Sequence, residues 1–137
     1  MSYLVDTNVI SELHRRDPNA RVLRWIHARP PSSLYLSVLT LGELRKGIDG
    51  LTESDKKRKL LDWLEIDLPA YFACRILPID VEVSDRWGRL VAKLGRPLPA
   101  IDSLLAATAL QHGLTMVTRN LKDFDVPELL VLDPWAD

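Results

Sequence analysis

A chain of 137 residues has room for one domain, residues 1–137, whose core needs neither disulfides nor a structural metal. With 47% hydrophobic and 27% charged residues, the composition excludes an intrinsically disordered protein, and a formal net charge of -1 excludes a global basic field for nucleic acid. The single cysteine, Cys74, excludes an intrachain disulfide and a zinc site built from several thiolates. Any nucleic-acid binding must therefore rest on local patches.

Hydropathy along the chain gives no sign of a membrane protein. The apolar runs fall well short of the roughly 20 residues of a transmembrane helix. The first residues lack the basic-then-apolar pattern of a signal peptide. We therefore expect a cytoplasmic protein without a membrane partner.

Short apolar runs alternate with amphipathic segments along the chain. The runs have the length and residue types of buried strands and occupy residues 3–5, 34–38, 76–79, 115–118 and 129–132. Helices are predicted between them, at residues 9–16, 19–28, after a cap at Thr40, at 54–67, 80–94 and 102–112. This alternation predicts an α/β fold with a central parallel sheet of four to five short strands and helices on both faces.

Four acidic residues fall where such a fold gathers the ends of its strands. Asp6 ends the first strand, and Glu43 lies in the first turn of the helix after the second strand. Asp102 opens the helix that leads into the fourth strand, and Asp123 follows that strand. If strands one and four are neighbours where the strand order reverses, Asp6 and Asp123 face each other across a crevice. We predict all four acids at the carboxyl edge of the sheet.

Each acid also has a purely structural explanation. Asp6 suits a helix cap, and Glu43 lies three residues after Thr40, as in a capping box. Asp102 favours a helix dipole, and Asp123 suits a turn. Four such coincidences on one sheet edge are a weaker explanation than one site.

Clustered carboxylates point to metal chemistry. They repel one another, and their pKa values rise unless a cation neutralises them. Oxygen ligands select Mg²⁺ or Mn²⁺ over Zn²⁺, and such ions activate water and stabilise charge on a phosphoryl group. The pattern therefore predicts metal-dependent phosphodiester hydrolysis. Nearby polar residues suited to orienting waters or carboxylates are Thr7, Asn8, Thr40 and Asn120.

Four segments of the chain carry a resemblance to a known family. They read LVDTNVISE at residues 4–12, SVLTLGEL at 37–44, DSLLAATA at 102–109 and VTRNLKDF at 117–124. In this order they resemble the segments of PIN-domain ribonucleases, specifically the VapC-type toxins of type II toxin-antitoxin modules. The segment ILPID at residues 76–80 and the terminal Pro134-Trp135 also fit the family pattern. The resemblance thus covers nearly the whole chain.

The resemblance implies a PIN-like three-layer α/β/α fold and endonucleolytic cleavage of RNA. It implies Mg²⁺, with Mn²⁺ able to substitute, held by the acids at Asp6, Glu43, Asp102 and Asp123. It also implies a homodimer that is inhibited by a cognate antitoxin and reaches operator DNA only through that antitoxin. The fourth acid is the least constant part of the family pattern, so Asn120 is an alternative to Asp123.

Two other functions remain open from the sequence. One is a PIN nuclease that processes RNA without an antitoxin, and the other is a non-catalytic PIN-like binding module whose acids are only caps. Basic residues beside an acidic site would be needed to attract RNA, and we expect Arg15, Arg16 and Arg119 to contact it. The basic run at residues 56–59 is instead interpreted as a solvated helix face.

Overall fold

Five short parallel strands form the centre of the computed structural model, which describes residues 1–136. Their order in the sheet is β3-β2-β1-β4-β5, and every pair of neighbours is parallel. The strands are β1 (Tyr3–Val5), β2 (Leu34–Ser37), β3 (Ile76–Leu77), β4 (Thr115–Val117) and β5 (Val131–Leu132). The predicted parallel sheet is confirmed, and β1 pairs with β4, which meets the condition under which Asp6 and Asp123 were expected to face each other.

Helices connect the strands and cover the sheet. They are α1 (Thr7–Glu12), α2 (Ala20–His27), α3 (Val38–Asp49), α4 (Asp55–Asp62), α5 (Leu68–Tyr71), α6 (Val81–Leu94) and α7 (Ala100–His112). A π-helical turn at Trp63–Asp67 joins α4 to α5, and 3-10 turns occupy Pro31–Ser33 and Leu121–Phe124. None of the described helices combines the length and apolar character needed to cross a membrane.

The central strand β1 supplies side chains to both hydrophobic cores. Tyr3 and Val5 belong to one core, which also contains residues of α1, α2 and α3. Leu4 belongs to the second core, together with Met116 of β4 and Leu105 of α7. Side chains of a strand point alternately to its two faces, so a three-residue strand buried throughout must be covered on both sides. The result is a three-layer α/β/α architecture.

Helix α3 begins earlier than predicted, and this changes the interpretation of Glu43. Ser37, the last residue of β2, is the N-cap, and its Oγ accepts a hydrogen bond from Leu39 N at 3.0 Å. Thr40 is therefore a buried residue inside the helix, and the predicted cap at Thr40 is wrong. Ser and Thr are both good caps, and the strand ends at the serine, which places the cap there. Glu43 lies in the second turn, so the capping-box explanation fails.

Two further predictions are corrected by buried charges. The first helix ends at Glu12, not at residue 16. The buried Glu12 carboxylate accepts a hydrogen bond from Asn19 N at 2.8 Å, and this bond closes the loop that follows the helix.

Lys57 does not lie on a solvated face. It is only 8% exposed, and its Nζ donates to Leu51 O at 3.0 Å and to Glu53 Oε1 at 2.9 Å.

Candidate active site

The strand order places a crevice at the carboxyl end of β1. The chain leaves β1 toward β2 on one side, while β4 pairs on the other, so the strand order reverses between β1 and β4. Ligands of open parallel sheets bind at such a point. Asp6 follows β1, and its backbone N donates to Val117 O at 2.9 Å, which fixes the start of α1 against the end of β4.

Asp6 is held by three donors in an almost fully buried position. Its Oδ1 accepts from Thr7 N at 2.7 Å, and its Oδ2 accepts from Thr118 Oγ1 at 2.7 Å and from Asn8 Nδ2 at 3.4 Å. Asp6 is the N-cap of α1, as the structural explanation predicted, but the cap uses only Oδ1. Burial raises the pKa of Asp6, the hydrogen bonds from Thr118 and Thr7 oppose this, and the charges of Glu43 and Asp123 raise it further.

Glu43 is brought toward Asp6 by a contact between α1 and α3. Thr7 Oγ1 donates to Glu43 Oε1 at 2.5 Å, and the hydroxyls of Thr7 and Thr40 lie 3.4 Å apart. Thr7 also donates its backbone N–H to Asp6. One residue thus contacts both acids and holds the two helices in register.

Asp102 and Asp123 form the other side of the acidic group. Asp102 is the third residue of α7, two residues inside its start, and Asp123 lies in the 3-10 turn after β4. Their side chains share a hydrogen bond. Burial raises the pKa of Asp102 to about 6, with further contributions from the charges of Asp6, Asp123 and Glu43 and from that hydrogen bond. Within residues 1–136, no side chain caps the N-terminus of α7 by a hydrogen bond, so Asp102 is not a capping residue of this helix.

The four predicted acids therefore form one electrostatically coupled group at the carboxyl edge. Within residues 1–136, no three acidic, histidine or cysteine side chains lie close enough together to hold a metal ion as they stand. The group is an open array of carboxylate oxygens. Burial, and then repulsion from the other acids, raises the pKa values of Asp6 and Asp102. Carboxylate oxygens of this kind suit a hard divalent cation such as Mg²⁺ or Mn²⁺.

The predicted polar neighbours have different positions in this array. Thr7 and Asn8 contact Asp6 or Glu43 directly, whereas Thr40, among the described residues, is connected to the acids through Thr7. Asn120 contributes its backbone N, which donates to Thr118 Oγ1 at 3.0 Å.

Thr118 was missed in the sequence, although it contacts Asp6 directly. It is fully buried and also accepts from Asn8 Nδ2 at 3.3 Å. The sequence did contain a signal for this contact. Thr118 is the first residue after β4, just as Asp6 is the first residue after β1.

The three arginines predicted to contact RNA also differ. Arg15 pairs with the buried Glu12 at 3.4 Å and lines a groove of about 280 Å³ together with Thr7 and Glu43. Arg16 is exposed in the loop between α1 and α2. Arg119 donates its backbone N to Asn8 Oδ1 at 3.4 Å, and its guanidinium lies over the ring of Trp135.

Comparison with known sequences assigns the chain to a family. The model of the PIN domain matches residues 3–128. The chain is 41% identical to the plasmid stability protein StbB of Pseudomonas syringae pv. tomato, over 96% of this chain and 97% of that protein. It is 41% identical to toxin FitB of Neisseria gonorrhoeae, over 98% and 99% of the two chains. It is 35% identical to the VapC ribonuclease Y4jK of Sinorhizobium fredii, over 96% of each.

Solved structures give the same relationship. The crystal structure of FitAcB from Neisseria gonorrhoeae superposes with a TM-score of 0.92 at 38% identity, covering 98% of this chain and 99% of that one. The structure of FitAB bound to an IR36 DNA fragment superposes with a TM-score of 0.90 at 37% identity, covering 97% and 95%. This chain therefore belongs to the PIN-domain family and is a homologue of the VapC ribonucleases and of the toxin FitB.

Proposed function

We propose that this chain, as a single PIN domain over residues 1–137, is the toxin of a toxin-antitoxin pair and a metal-dependent endoribonuclease. The observation that carries the proposal is the placement of Asp6, Glu43, Asp102 and Asp123 at one sheet edge, where their charges act on one another. The purely structural explanation fails for Glu43, which is not part of a capping box. It is incomplete for Asp6, because the helix cap uses only one of its two oxygens. The homologous ribonucleases and toxin support the same activity.

In this proposal the four carboxylates hold Mg²⁺, for which Mn²⁺ substitutes. An ion of this kind lowers the pKa of a bound water and neutralises the charge that develops on a phosphoryl group. The donors from Thr118 and Thr7 N favour the ionised form of Asp6 and fix its orientation. Thr7 Oγ1 holds Glu43 beside it. The carboxyl group of Asp102, with its raised pKa, must release its proton for a cation to bind.

The proposed partners are RNA as substrate and a cognate antitoxin as inhibitor. Solved relatives support the antitoxin, since one of them is a FitAB complex bound to DNA. We propose that this chain is a homodimer that reaches operator DNA only through its antitoxin. Acting on cellular RNA requires the protein to be in the cytoplasm.

The test is cleavage of total cellular RNA by the purified wild-type protein and the Asp6→Asn variant, each with Mg²⁺, with Mn²⁺ and with EDTA. We expect discrete products from the wild type with either metal, none with EDTA, and a loss of at least about 100-fold in the variant, because an essential ligand is removed. Asp125→Asn is the matched control, since it makes the same charge change at an exposed position. Circular dichroism checks that both variants are folded.

Equal cleavage by wild type and purified Asp6→Asn would contradict the proposed site. A protein that neither cleaves RNA nor binds Mn²⁺ saturably, measured by calorimetry, would favour the non-catalytic binding module instead. Helix caps need no divalent ion, so saturable Mn²⁺ binding that is lost in Glu43→Gln would speak against that module.

A further inference from the structure

A basic and aromatic surface borders the acidic array on the side of β4 and β5. It consists of Arg119, which follows Thr118 at the end of β4, of Trp135, which lies just beyond β5, and of Arg21 in the first turn of α2. We call these three residues the Arg119–Trp135 shelf. The formal net charge of the chain is -1, so a polyanionic substrate must be attracted by local cations such as Arg119.

Trp135 is fixed in place by contacts on its backbone and its ring. Its backbone N donates to Asp133 Oδ1 at 2.9 Å, and its carbonyl oxygen accepts from Arg21 Nη1 at 3.3 Å. The ring packs against the hydrophobic core and remains partly exposed. The guanidinium carbon of Arg119 lies over this ring, 4.9 Å from its centroid. A cation held over an aromatic face in this way is already oriented before a ligand arrives.

The shelf is connected to the acidic array by short contacts. Thr118, the neighbour of Arg119, donates to Asp6 Oδ2 at 2.7 Å. The backbone N of Arg119 donates to Asn8 Oδ1 at 3.4 Å, and the amide of Asn8 donates in turn to Asp6. The backbone of Arg119 is therefore part of the framework that positions Asp6, while its side chain extends outward.

Arg119 differs from the other arginine beside the site in its partners. Arg15 is paired with the buried carboxylate of Glu12. In the part of the chain that the structure describes, the guanidinium of Arg119 is in no ion pair, and its partner is the indole ring. An exposed guanidinium without a carboxylate partner keeps its charge available for a phosphate.

We propose that the Arg119–Trp135 shelf binds the backbone and an unstacked base of single-stranded RNA next to the phosphate that is cleaved. Arg119 contacts a phosphate, and the exposed part of Trp135 stacks on the adjoining base. Planar cations and aromatic rings that alternate along a groove are how proteins bind single strands, because every base has a face to stack. The inference rests on the proposed ribonuclease function and names the surface that the substrate strand follows.

The test is a binding measurement in EDTA, so that it does not depend on metal or cleavage. The probe is a short fluorescein-labelled single-stranded RNA of random sequence, and the readout is fluorescence anisotropy over a range of salt concentrations. We expect Arg119→Ala to raise the Kd about tenfold and to lower the slope of log K against log salt by roughly 0.7, the value for one phosphate contact on a single strand. Arg119→Lys keeps the charge but loses the planar stacking group, so its Kd should lie between those of the wild type and of Arg119→Ala.

The matched control is Arg89→Ala, which removes an exposed arginine from α6 that pairs with Asp85. Trp135→Leu should weaken binding as well. The double variant with Arg119→Ala should lose less binding free energy than the sum of the two single losses, because both residues belong to the same subsite. Melting curves establish that each variant is folded.

Equal Kd values for Arg119→Ala and Arg89→Ala would overturn the proposal, as would a wild-type protein that does not bind this RNA at low salt. A variant that keeps RNA binding but loses antitoxin binding would also overturn it, since the shelf would then be a protein contact. Failure of the ribonuclease function is seen separately, in the metal-dependent cleavage assay with Asp6→Asn.

Discussion

The hydroxyl of Thr118 donates a hydrogen bond to Asp6 Oδ2 at 2.7 Å, joining two buried residues that are 112 positions apart in the sequence. The same oxygen of Thr118 accepts from Asn120 N at 3.0 Å, so one hydroxyl connects the end of β1 to the turn that carries Asp123. Parallel pairing of β1 with β4 is what brings the two residues together. Thr118 is therefore a positioning residue for a proposed metal ligand.

Replacing Thr118 by valine removes this donor while keeping the shape of the side chain. We expect the affinity for Mn²⁺ to fall by about 10- to 100-fold, because Asp6 loses a hydrogen bond that favours its ionised form and fixes its orientation. Isothermal titration calorimetry gives the affinity directly. Thr118→Ser keeps the hydroxyl and should restore most of the binding, whereas equally weak binding by both variants would show that packing of the methyl group is what matters.

Thr7 has the corresponding role for Glu43. Its hydroxyl donates to Glu43 Oε1 at 2.5 Å, and Thr7→Val removes that bond together with the weaker 3.4 Å contact to Thr40 Oγ1. We expect Mn²⁺ affinity to fall about tenfold, since Glu43 can then turn away from Asp6. Thr7→Ser is the control that retains the donor, and the same titration is the measurement. Unchanged affinity in Thr7→Val would mean that Glu43 needs no support from α1.

The placement of the four acids near one another could be predicted from the sequence, because the carboxyl ends of parallel strands lie at one edge of the sheet and the alternation of strands and helices indicates such a sheet. Asp6 and Glu43 are separated by many residues, yet each follows a strand that ends at the same edge. The role of Thr118 could not be predicted in this way, since a lone threonine after a strand has no chemical signature. Its function arises from the pairing of β1 with β4, which brings its hydroxyl to Asp6.

Helix boundaries and buried lysines show a second limit of sequence patterns. Ser37 and Thr40 are both good caps, and the choice depends on where β2 ends, which is decided by its pairing with β1 and β3.

Lys57 belongs to a run of four basic residues with similar local patterns. Only the packing of α4 against the end of α3 distinguishes it from its neighbours, since it places Lys57 Nζ beside the carbonyl of Leu51.

The contacts of Lys57 predict a specific loss of stability. Lys57→Ala removes hydrogen bonds to Leu51 O and Glu53 and leaves a carbonyl without its charged donor. We expect the free energy of unfolding to fall by roughly 1 to 3 kcal/mol. Lys59→Ala, at an exposed position in the same run, should change it by less than about 0.5 kcal/mol. Urea denaturation curves compare the two variants, and equal midpoints would contradict the structural role of Lys57.

The raised pKa of Asp102 predicts how stability depends on pH in the metal-free protein. Its pKa rises from the usual 3.8 to about 6, so between these values the folded protein binds more protons than the unfolded chain. The contribution of Asp102 to the free energy of unfolding therefore falls as the pH increases from about 4 to about 6, and it stays lowered above that window. Asp102 is partly exposed to solvent, so we expect its contribution to be roughly 1 kcal/mol.

Asp102→Asn isolates this effect. In EDTA above pH 6 the variant should be more stable than the wild type, because it lacks a carboxylate that is destabilised by burial and by the charges of Asp6, Asp123 and Glu43. If Asp102 is a ligand as proposed, adding Mg²⁺ should reverse the order, since the wild type then gains more free energy from binding the cation than the variant does. Thermal melts with EDTA and with Mg²⁺ at several pH values give both comparisons, and Asp125→Asn is the control for charge. If Asp102→Asn melts below the wild type in EDTA, then Asp102 stabilises the fold by its own contacts and the acids are not held in mutual repulsion.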